Sequence, residues 1–549
     1  MAAQNRRSGS DEESFDYIVV GGGTAGCALA ARLTETGRHT VLLLEAGGSG
    51  SGFWIPIPAG FTKLMTNPKY NWLFSTEPEE NVSGRSIVVP RGKGLGGSSL
   101  INGMIYVRGQ RQDYDTWAQL GARGWSYEEV LPYFKKLENF EGDASELRGK
   151  GGPVNIVTVA ERNELGEAFI KAASQAGFPF NPDYNGDNQE GFGWYQVNQR
   201  SGRRWSAKEA YLKPALSRRN LSVRTGVHVT RLNFQGKRTV GVSCRIGDRD
   251  IRFQARSEVI LAAGAVQTPH LLELSGVGDA PVLQAAGVPV FHALPGVGAN
   301  YLDHFATRMN WQVKRPITLN ELTRGWRLGK AVAQYFLTHT GILTLGTGLA
   351  HGFVKTRPEL ETPDIQYFFV HASYGNAGNR VLDRVPGMTV GVSQLRPESI
   401  GTIHLKSANP FEQPAIRPNF LATREDQDCL IEGMRLARRI IEQPAMDEYR
   451  EVEMSPGLKV QQWDEWLDFA RRTGQTIYHP VGTCRMGGGP QAVVDERLRV
   501  HGLEALRIAD ASVMPKIVSG NTAAAVMMIA EKAADLIKAD ASTRVAEAA

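Results

Sequence analysis

The apolar positions of this chain fall into short blocks separated by glycine-rich turns. A polar stretch, residues 1–14, comes first and is expected to be disordered. Residues 15–20 (FDYIVV) form a compact apolar run that predicts a buried strand, and residues 25–34, beyond the turn GGGTAG, read as a helix. Residues 41–44 (VLLL) predict a second strand, ending at Glu45, which completes a βαβ unit of about thirty residues. Parts of 112–140 read as helical. Another strand is predicted at 258–262, running into AAGAVQTP, and a last one at 505–509 (ALRIA), followed by a helix from about 522 to 538. Between 310 and 460 the pattern changes. Aromatics, prolines and alternating runs such as 365–370 (IQYFFV) and 402–405 (TIHL) predict a sheet-bearing second domain.

At 549 residues, such a chain is expected to build two or more lobes. Its 42% hydrophobic and 22% charged residues are those of a globular protein, and its 60 glycines suggest many tight turns and close backbone approaches. The net charge of +5 is spread along the chain with no basic stripe, so nucleic acid is not an expected partner. Cys27, Cys244, Cys429 and Cys484 lie far apart, with no metal-ligand spacing, and read as reduced cysteines. The N-terminal stretch has no apolar core of a secretory signal, and no apolar run reaches about 18 residues. A cytoplasmic protein without an integral membrane segment is expected.

Candidate chemistry begins at the first turn. Gly21, Gly23 and Gly26 form GxGxxG directly after a strand and at the start of a helix, with Thr24 and Ala25 between them. The first glycine permits the tight turn, the second lets backbone approach a pyrophosphate, and the third lets helix and strand pack closely. Glu45, followed by Ala46, stands about twenty residues on, where a carboxylate meets ribose hydroxyls. This fingerprint alone does not separate NAD from FAD. The chain has no second GxGxxG for a nicotinamide cofactor. Ala263 and Gly264 end one strand, and Asp510 and Ala511 end another, where an acid suits ribityl hydroxyls. One extended FAD fits this arrangement better. The run 91–103 (RGKGLGGSSLING) adds Arg91, Gly96, Gly97, Ser98, Asn102 and Gly103, a loop able to lie against a diphosphate or a flavin edge, the alternative being a flexible surface loop. His479, in TIYHPVGTCRMG, is biased away from helix by the proline after it and is the best candidate for a general base. Asn521, with Thr522, opens the last helix and reads either as an N-cap or as a hydrogen-bond partner for substrate beside His479.

Taken together, GKGLGGSSLINGMIYVRGQRQDYD at 92–115, GAVQTPHLLELSGVG at 264–278, LPGVGANYLDH at 294–304, HPVGTCRMG and ADASVMPKIVSGNTAAAVMMIAEKAADLI resemble the glucose–methanol–choline (GMC) oxidoreductase family over nearly the whole chain, nearest its choline dehydrogenase-like alcohol dehydrogenases. The resemblance implies an α/β fold. A Rossmann-like FAD-binding domain is assembled from discontinuous segments (15–155, 215–309 and 465–540). A substrate-binding domain on a large mixed or antiparallel sheet takes 156–214 and 310–464, and 541–549 is a flexible tail. It implies oxidation of an alcohol to an aldehyde or ketone by hydride transfer to flavin N5, with His479 as general base, Asn521 at the second active-site position and Val229 near the flavin or adenine. Electrons then pass to a quinone, a dye or oxygen. Ile101 stands where some members carry the histidine that attaches FAD, so a non-covalent flavin is expected. Hydroxynitrile lyases and a light-driven fatty-acid decarboxylase on the same scaffold are the alternative. Phe61, Tyr367, Phe368, Phe369 and Tyr374 are candidates for the substrate pocket, and a choline site would want a carboxylate there.

Overall fold

The computed structural model describes residues 13–143, 145–376 and 381–548; most of the stretch expected to be disordered, residues 1–12, lies outside the described residues. Two seven-stranded sheets organise the chain. The first contains β1 (Glu13–Val20), β2 (Val41–Glu45), β3 (Leu221–Thr225), β4 (His228–Gln235), β5 (Arg238–Ile246) and β6 (Arg249–Leu261) in the order β3-β2-β1-β6-β5-β4, with Leu506–Ile508 beside the end of β6. The second contains β7 (Phe305–Val313), β8 (Ala350–Val354), β9 (Ile365–Val370), β10 (Gly387–Gln394) and β11 (Arg450–Ser455). Its order is β11-β7-β10-β9-β8 followed by Gly191–Trp194, with Gln475–Thr476 beside the start of β7. The helices that matter to the site are α1 (Thr24–Leu33), α2 (Gly264–Leu274), α3 (Gly325–Thr338), α4 (Arg424–Ile441), α5 (Trp463–Thr473) and α6 (Ala523–Ala548).

The first sheet is parallel through β3, β2, β1 and β6, with Val19 paired to both Leu43 and Ile260. Tyr17–Val20 and all of β2 are buried, as both faces of a parallel sheet must be. β6 is much longer than the strand predicted at 258–262. Its first half alternates, with Phe253 and Ala255 buried between exposed Arg252, Gln254 and Arg256, because there it belongs to an antiparallel ribbon with β5 that is wet on one side. A charged alternating strand carries no apolar block, so only its buried end was legible. The second sheet is antiparallel throughout. Its outer face packs on α4, α5 and the helix Glu164–Gln175.

The chain crosses between the lobes more often than the expected division allows. The buried face of α5 (Trp466, Leu467, Phe469, Ala470) and the start of β7 join the second core, while Ala207, Ala210 and Leu212 join the first. Thr402–His404, expected in the second domain, forms a two-stranded sheet with Ala415–Arg417 apart from the second sheet, and His404 Nδ1 lies 2.6 Å from Glu273 of α2. Glu13 and Ser14 are already β-strand. The tail expected at 541–549 continues α6 to Ala548.

Near the seam between the cores, Glu138 is fully buried. Burial pushes its carboxyl pKa up, but the guanidiniums of Arg108 and Arg148, with the Arg108 hydrogen bond and the Gly149 amide, outweigh this and hold it below the usual range. Tyr106 donates to it as well, at 2.8 Å. Glu138→Ala leaves buried Arg108 without its counter-ion and Arg148 with Asp183 alone, and is expected to destabilise the fold by about 3–5 kcal/mol in urea unfolding followed by tryptophan fluorescence.

Candidate active site

A cavity of about 310 Å³ runs between the two sheets. Its walls at one end are the turn after β1, the end of β2, the 91–103 loop and the start of α2. Gly26 packs so closely on that turn that a Cβ would lie 1.8 Å from the Gly21 carbonyl oxygen. Gly97 sits at φ +52°, and a Cβ there would come within 2.6 Å of Gly23 Cα. No side chain caps α1 at Gly23, and its first residues face the cavity, which leaves its positive end for an anion. Glu45 Oε1 accepts from the Gly47 and Gly94 amides (2.7 and 3.0 Å) and Oε2 from the Gly22 amide (2.9 Å). Three of about four acceptor sites are therefore taken, and one is left for a hydroxyl. Burial raises the Glu45 pKa, and the amides oppose that rise. An uncapped helix, a backbone-lined cradle and a carboxylate with one acceptor site left fit the phosphates and ribose of a dinucleotide.

Asp510 behaves differently from its sequence reading. Oδ2 accepts from Gly264 N and Thr268 Oγ1, and Oδ1 from Ser512 N and Oγ, so its acceptor sites are filled from within the protein. It fixes the Gly264 and Ala511 backbone against the cavity and has no lone pair to spare for a ribityl hydroxyl.

The other end of the cavity holds His479, which is buried. The residue before it, Tyr478, has φ +75°, a strained value for a bulky residue. Three contacts hold this backbone. Tyr478 N donates to Thr476 Oγ1 (2.7 Å), Arg91 Nη2 donates to the Tyr478 carbonyl (2.5 Å), and His479 N donates to Asp303 Oδ1 (2.8 Å). Asp303 also accepts from Thr476 and Tyr301, and burial pushes its carboxyl up to about 6.

The protons on the ring can be traced through its neighbours. His304 Nε2 lies 2.9 Å from the Leu395 carbonyl, which can only accept, so His304 carries its hydrogen there. Burial holds the His304 pKa down at about 4, so the ring is neutral and its Nδ1 is bare. His479 Nδ1 lies 3.0 Å from that bare nitrogen and must be the donor. His479 is itself held neutral, its pKa well below the usual 6.5 because of burial, His304 and Arg91. Its lone pair is therefore on Nε2, at the cavity wall, 3.1 Å from Asn521 Nδ2. The Asn521 amide is oriented in turn, because Gln366 Nε2 donates to its Oδ1 (3.1 Å). Its side-chain contacts are thus to Gln366 and His479, and α6 begins two residues later.

The second sheet closes this end with one face. On β9, Phe368 and Val370 line the cavity. Tyr367 points the other way, donating to the Gly433 carbonyl on α4, and Phe369 stacks on Phe169 at 4.5 Å. Phe61 and Tyr374 also line the cavity.

Of the residues singled out by sequence, Gly21, Gly23, Thr24, Ala25, Glu45, Ala46, Arg91, Gly97, Ser98, Asn102, Gly103, Val229, Ala263, Gly264, His479, Asp510, Ala511, Asn521 and Thr522 all line this one cavity. Gly26 and Gly96 do not. Gly26 seats α1, and Gly96 N ties the loop to the Gly22 carbonyl at 2.7 Å. Sequence reasoning missed Asp303, His304 and Gln366. The first two lie inside LPGVGANYLDH, a segment whose place was visible but whose contact with His479 spans more than 170 residues.

The sequence profile for GMC oxidoreductases matches residues 15–306 and, in its C-terminal part, residues 397–530; the chain belongs to this family. It is 41% identical over 524 residues to an oxygen-dependent choline dehydrogenase of Brucella anthropi, covering 95% of each chain. It is 43% identical over 535 residues to one of Pseudomonas syringae pv. syringae, covering 96% of this chain and 94% of that one. Among solved structures it resembles pyridoxine 4-oxidase from Mesorbium loti (TM-score 0.86, 30% identity, 95% and 98% covered) and formate oxidase (TM-score 0.90, 28% identity, 97% and 99% covered). The chain is an FAD-dependent oxidoreductase acting on CH–OH groups, and the cradle above has the features that a dinucleotide requires. Gly97→Ala puts a methyl group into the Gly23 backbone, and the purified variant is expected to lose most of its flavin, read as the ratio of absorbance near 450 nm to that at 280 nm.

Proposed function

We propose that this enzyme oxidises an uncharged alcohol to the aldehyde or ketone, with His479 Nε2 accepting the hydroxyl proton. The observation that carries the reading is the chain Leu395 carbonyl–His304–His479, which leaves a bare, buried imidazole nitrogen in the cavity wall. Bound FAD supplies the acceptor for the carbon-bound hydrogen and its electron pair. The substrate hydroxyl takes the Nε2 lone pair, and Asn521, held through Gln366, turns its amide hydrogens to the alcohol oxygen. As the carbon loses hydride, the C–OH unit becomes a protonated carbonyl, a strong acid, so a weakly basic imidazole is sufficient to take the proton. Ile101, an alkyl side chain in the cavity wall, supports a flavin held without a covalent bond.

The relatives named as choline dehydrogenases raise choline as a substrate. Among the described residues, the carboxylates lining this cavity are Glu45 and Asp510, both engaged by donors of the dinucleotide end. The sheet end offers Phe368, Val370, Thr389 and Arg308, and a cationic Arg308 beside a trimethylammonium group is unfavourable. Neutral aliphatic or aromatic alcohols suit this wall better.

The test is anaerobic titration of the yellow holoenzyme. A neutral alcohol is expected to bleach the flavin and choline to do so far more slowly, while acid precipitation of the same preparation releases FAD into the supernatant. Faster bleaching by choline would overturn the substrate reading, and no bleaching by any alcohol would turn the case toward a lyase or a light-driven reaction.

His479→Ala is expected to lower turnover by about 10²–10⁴-fold with flavin retained. In the intact enzyme kcat/KM should stay level as pH falls through 6.5 and decline only at lower pH, because the folded environment lowers the His479 pKa and the ring stays neutral. His304→Ala removes one cause of that depression. It should shift the acid limb to higher pH and cost at least about tenfold in kcat through the wrong tautomer. His304→Gln, which can accept from His479 Nδ1 and donate to Leu395, should recover part of the loss. Stopped-flow reduction across pH measures all three.

A further inference from the structure

Helix α3 presents the wrong face to water. Of its fourteen residues only Ala331 and Tyr335 are buried. Its outward positions, at helical spacings of three and four, are Trp326, Gly329, Val332, Ala333, Phe336 and Leu337, with Trp326 75% and Leu337 84% exposed. A second segment extends the patch. Phe53, 62% exposed, stacks on Phe336 at 5.9 Å, and Trp54 meets Phe53 edge-on at 5.0 Å. A contiguous apolar surface drawn from two distant segments is not a scatter of single exposed residues.

Charge distinguishes the occupants. Residues 324–338 contain Arg324, Arg327 and Lys330 and no acid. Lys330 is exposed, Arg327 lies 5.9 Å from the Trp326 ring, and Arg203 is close enough to Tyr335 to act on its hydroxyl. A second copy of the chain docking by a twofold axis would set these cations against themselves. A surface of anionic headgroups over acyl chains satisfies both halves of the pattern.

We propose that this face seats the enzyme on an anionic lipid bilayer. Helix α3 lies in the interface plane, Trp326, Phe336, Leu337 and Phe53 enter the acyl boundary, and Arg203, Arg327 and Lys330 meet the headgroups. Among the described residues no helix is long and apolar enough to cross a membrane, so the attachment is peripheral. The segment that carries Phe53 and Trp54 runs on to Phe61 and Met65 in the cavity wall, so the membrane-facing and cavity-facing side chains belong to one stretch of chain.

The test is sedimentation of the flavin-loaded full chain with vesicles of phosphatidylglycerol and phosphatidylcholine, and with phosphatidylcholine alone. The protein is expected to pellet with the anionic vesicles, less so as salt is raised. The double substitutions Trp326→Ser with Leu337→Ser, and Arg327→Glu with Lys330→Glu, are each expected to weaken partitioning by at least about tenfold. Flavin content and turnover with a soluble dye should be unchanged in both, which separates lost binding from lost folding. Failure of the parent protein to pellet, or equal pelleting of the variants, would overturn the proposal. So would light scattering that finds a dimer which the serine variant converts to monomer without any vesicle binding, since the face would then belong to a second copy.

Discussion

Buried carboxylates that must be satisfied hold this active site together. Glu45, Asp303 and Asp510 each sit where water cannot reach them, and each collects donors from segments far apart in the chain. Glu45 gathers the amides of Gly22, Gly47 and Gly94, Asp510 those of Gly264 and Ser512, and Asp303 that of His479. A buried carboxylate lacking such donors would cost several kcal/mol, so the loops are bound to converge on it. The cavity is the space these convergences enclose.

The same constraint reaches the catalytic ring by a different route. Asp303 anchors the backbone of His479, with the strained Tyr478 fixed between Thr476 and Arg91. His304, the next residue to Asp303, fixes the ring itself by offering only a lone pair to Nδ1. Two neighbouring side chains on one segment therefore control where His479 sits and which nitrogen bears its hydrogen. Asn521, just before α6, and Gln366, on β9, hold the far side of the ring, so a helix of the first core and a strand of the second sheet meet at one proton-accepting atom. The low dielectric that keeps both imidazoles neutral is what makes this arrangement unambiguous: a protonated His304 would offer no acceptor.

Much of the site was legible before the fold, for reasons that differ along the chain. GxGxxG after an apolar run is visible because its glycines are needed where backbone meets backbone: a Cβ on Gly26 would lie 1.8 Å from the Gly21 carbonyl oxygen, and one on Gly97, in the 91–103 loop, 2.6 Å from Gly23 Cα. His479 stood out because the proline after it biases it away from helix and an imidazole can accept a proton near neutral pH. Asp303 and His304 were inside a quoted segment yet carried no visible role, because a tautomer is set by geometry between residues and leaves no spacing signal. Asp510 was read as a ligand because an acid at a strand end looks alike whether it faces a hydroxyl or four internal donors. The division into lobes was blurred where single helices, such as α5, pack away from their sequence neighbours: amphipathic periodicity says that a helix has a buried face, and nothing about which core receives it.

The sequence by itself determined the nucleotide-binding turn and the main strands and helices around it, which rest on local backbone demands and on periodicity, properties of contiguous residues. The resemblance of its motifs supplied the family and, with it, many of the residues that line the cavity. Only the tertiary structure decided the protonation pattern of His479, the orientation of Asn521, the full commitment of Asp510 and the outward apolar face of α3. Each of these depends on which groups from remote segments share a few ångströms of space. Hydrogen-bond valence and burial act over that distance alone.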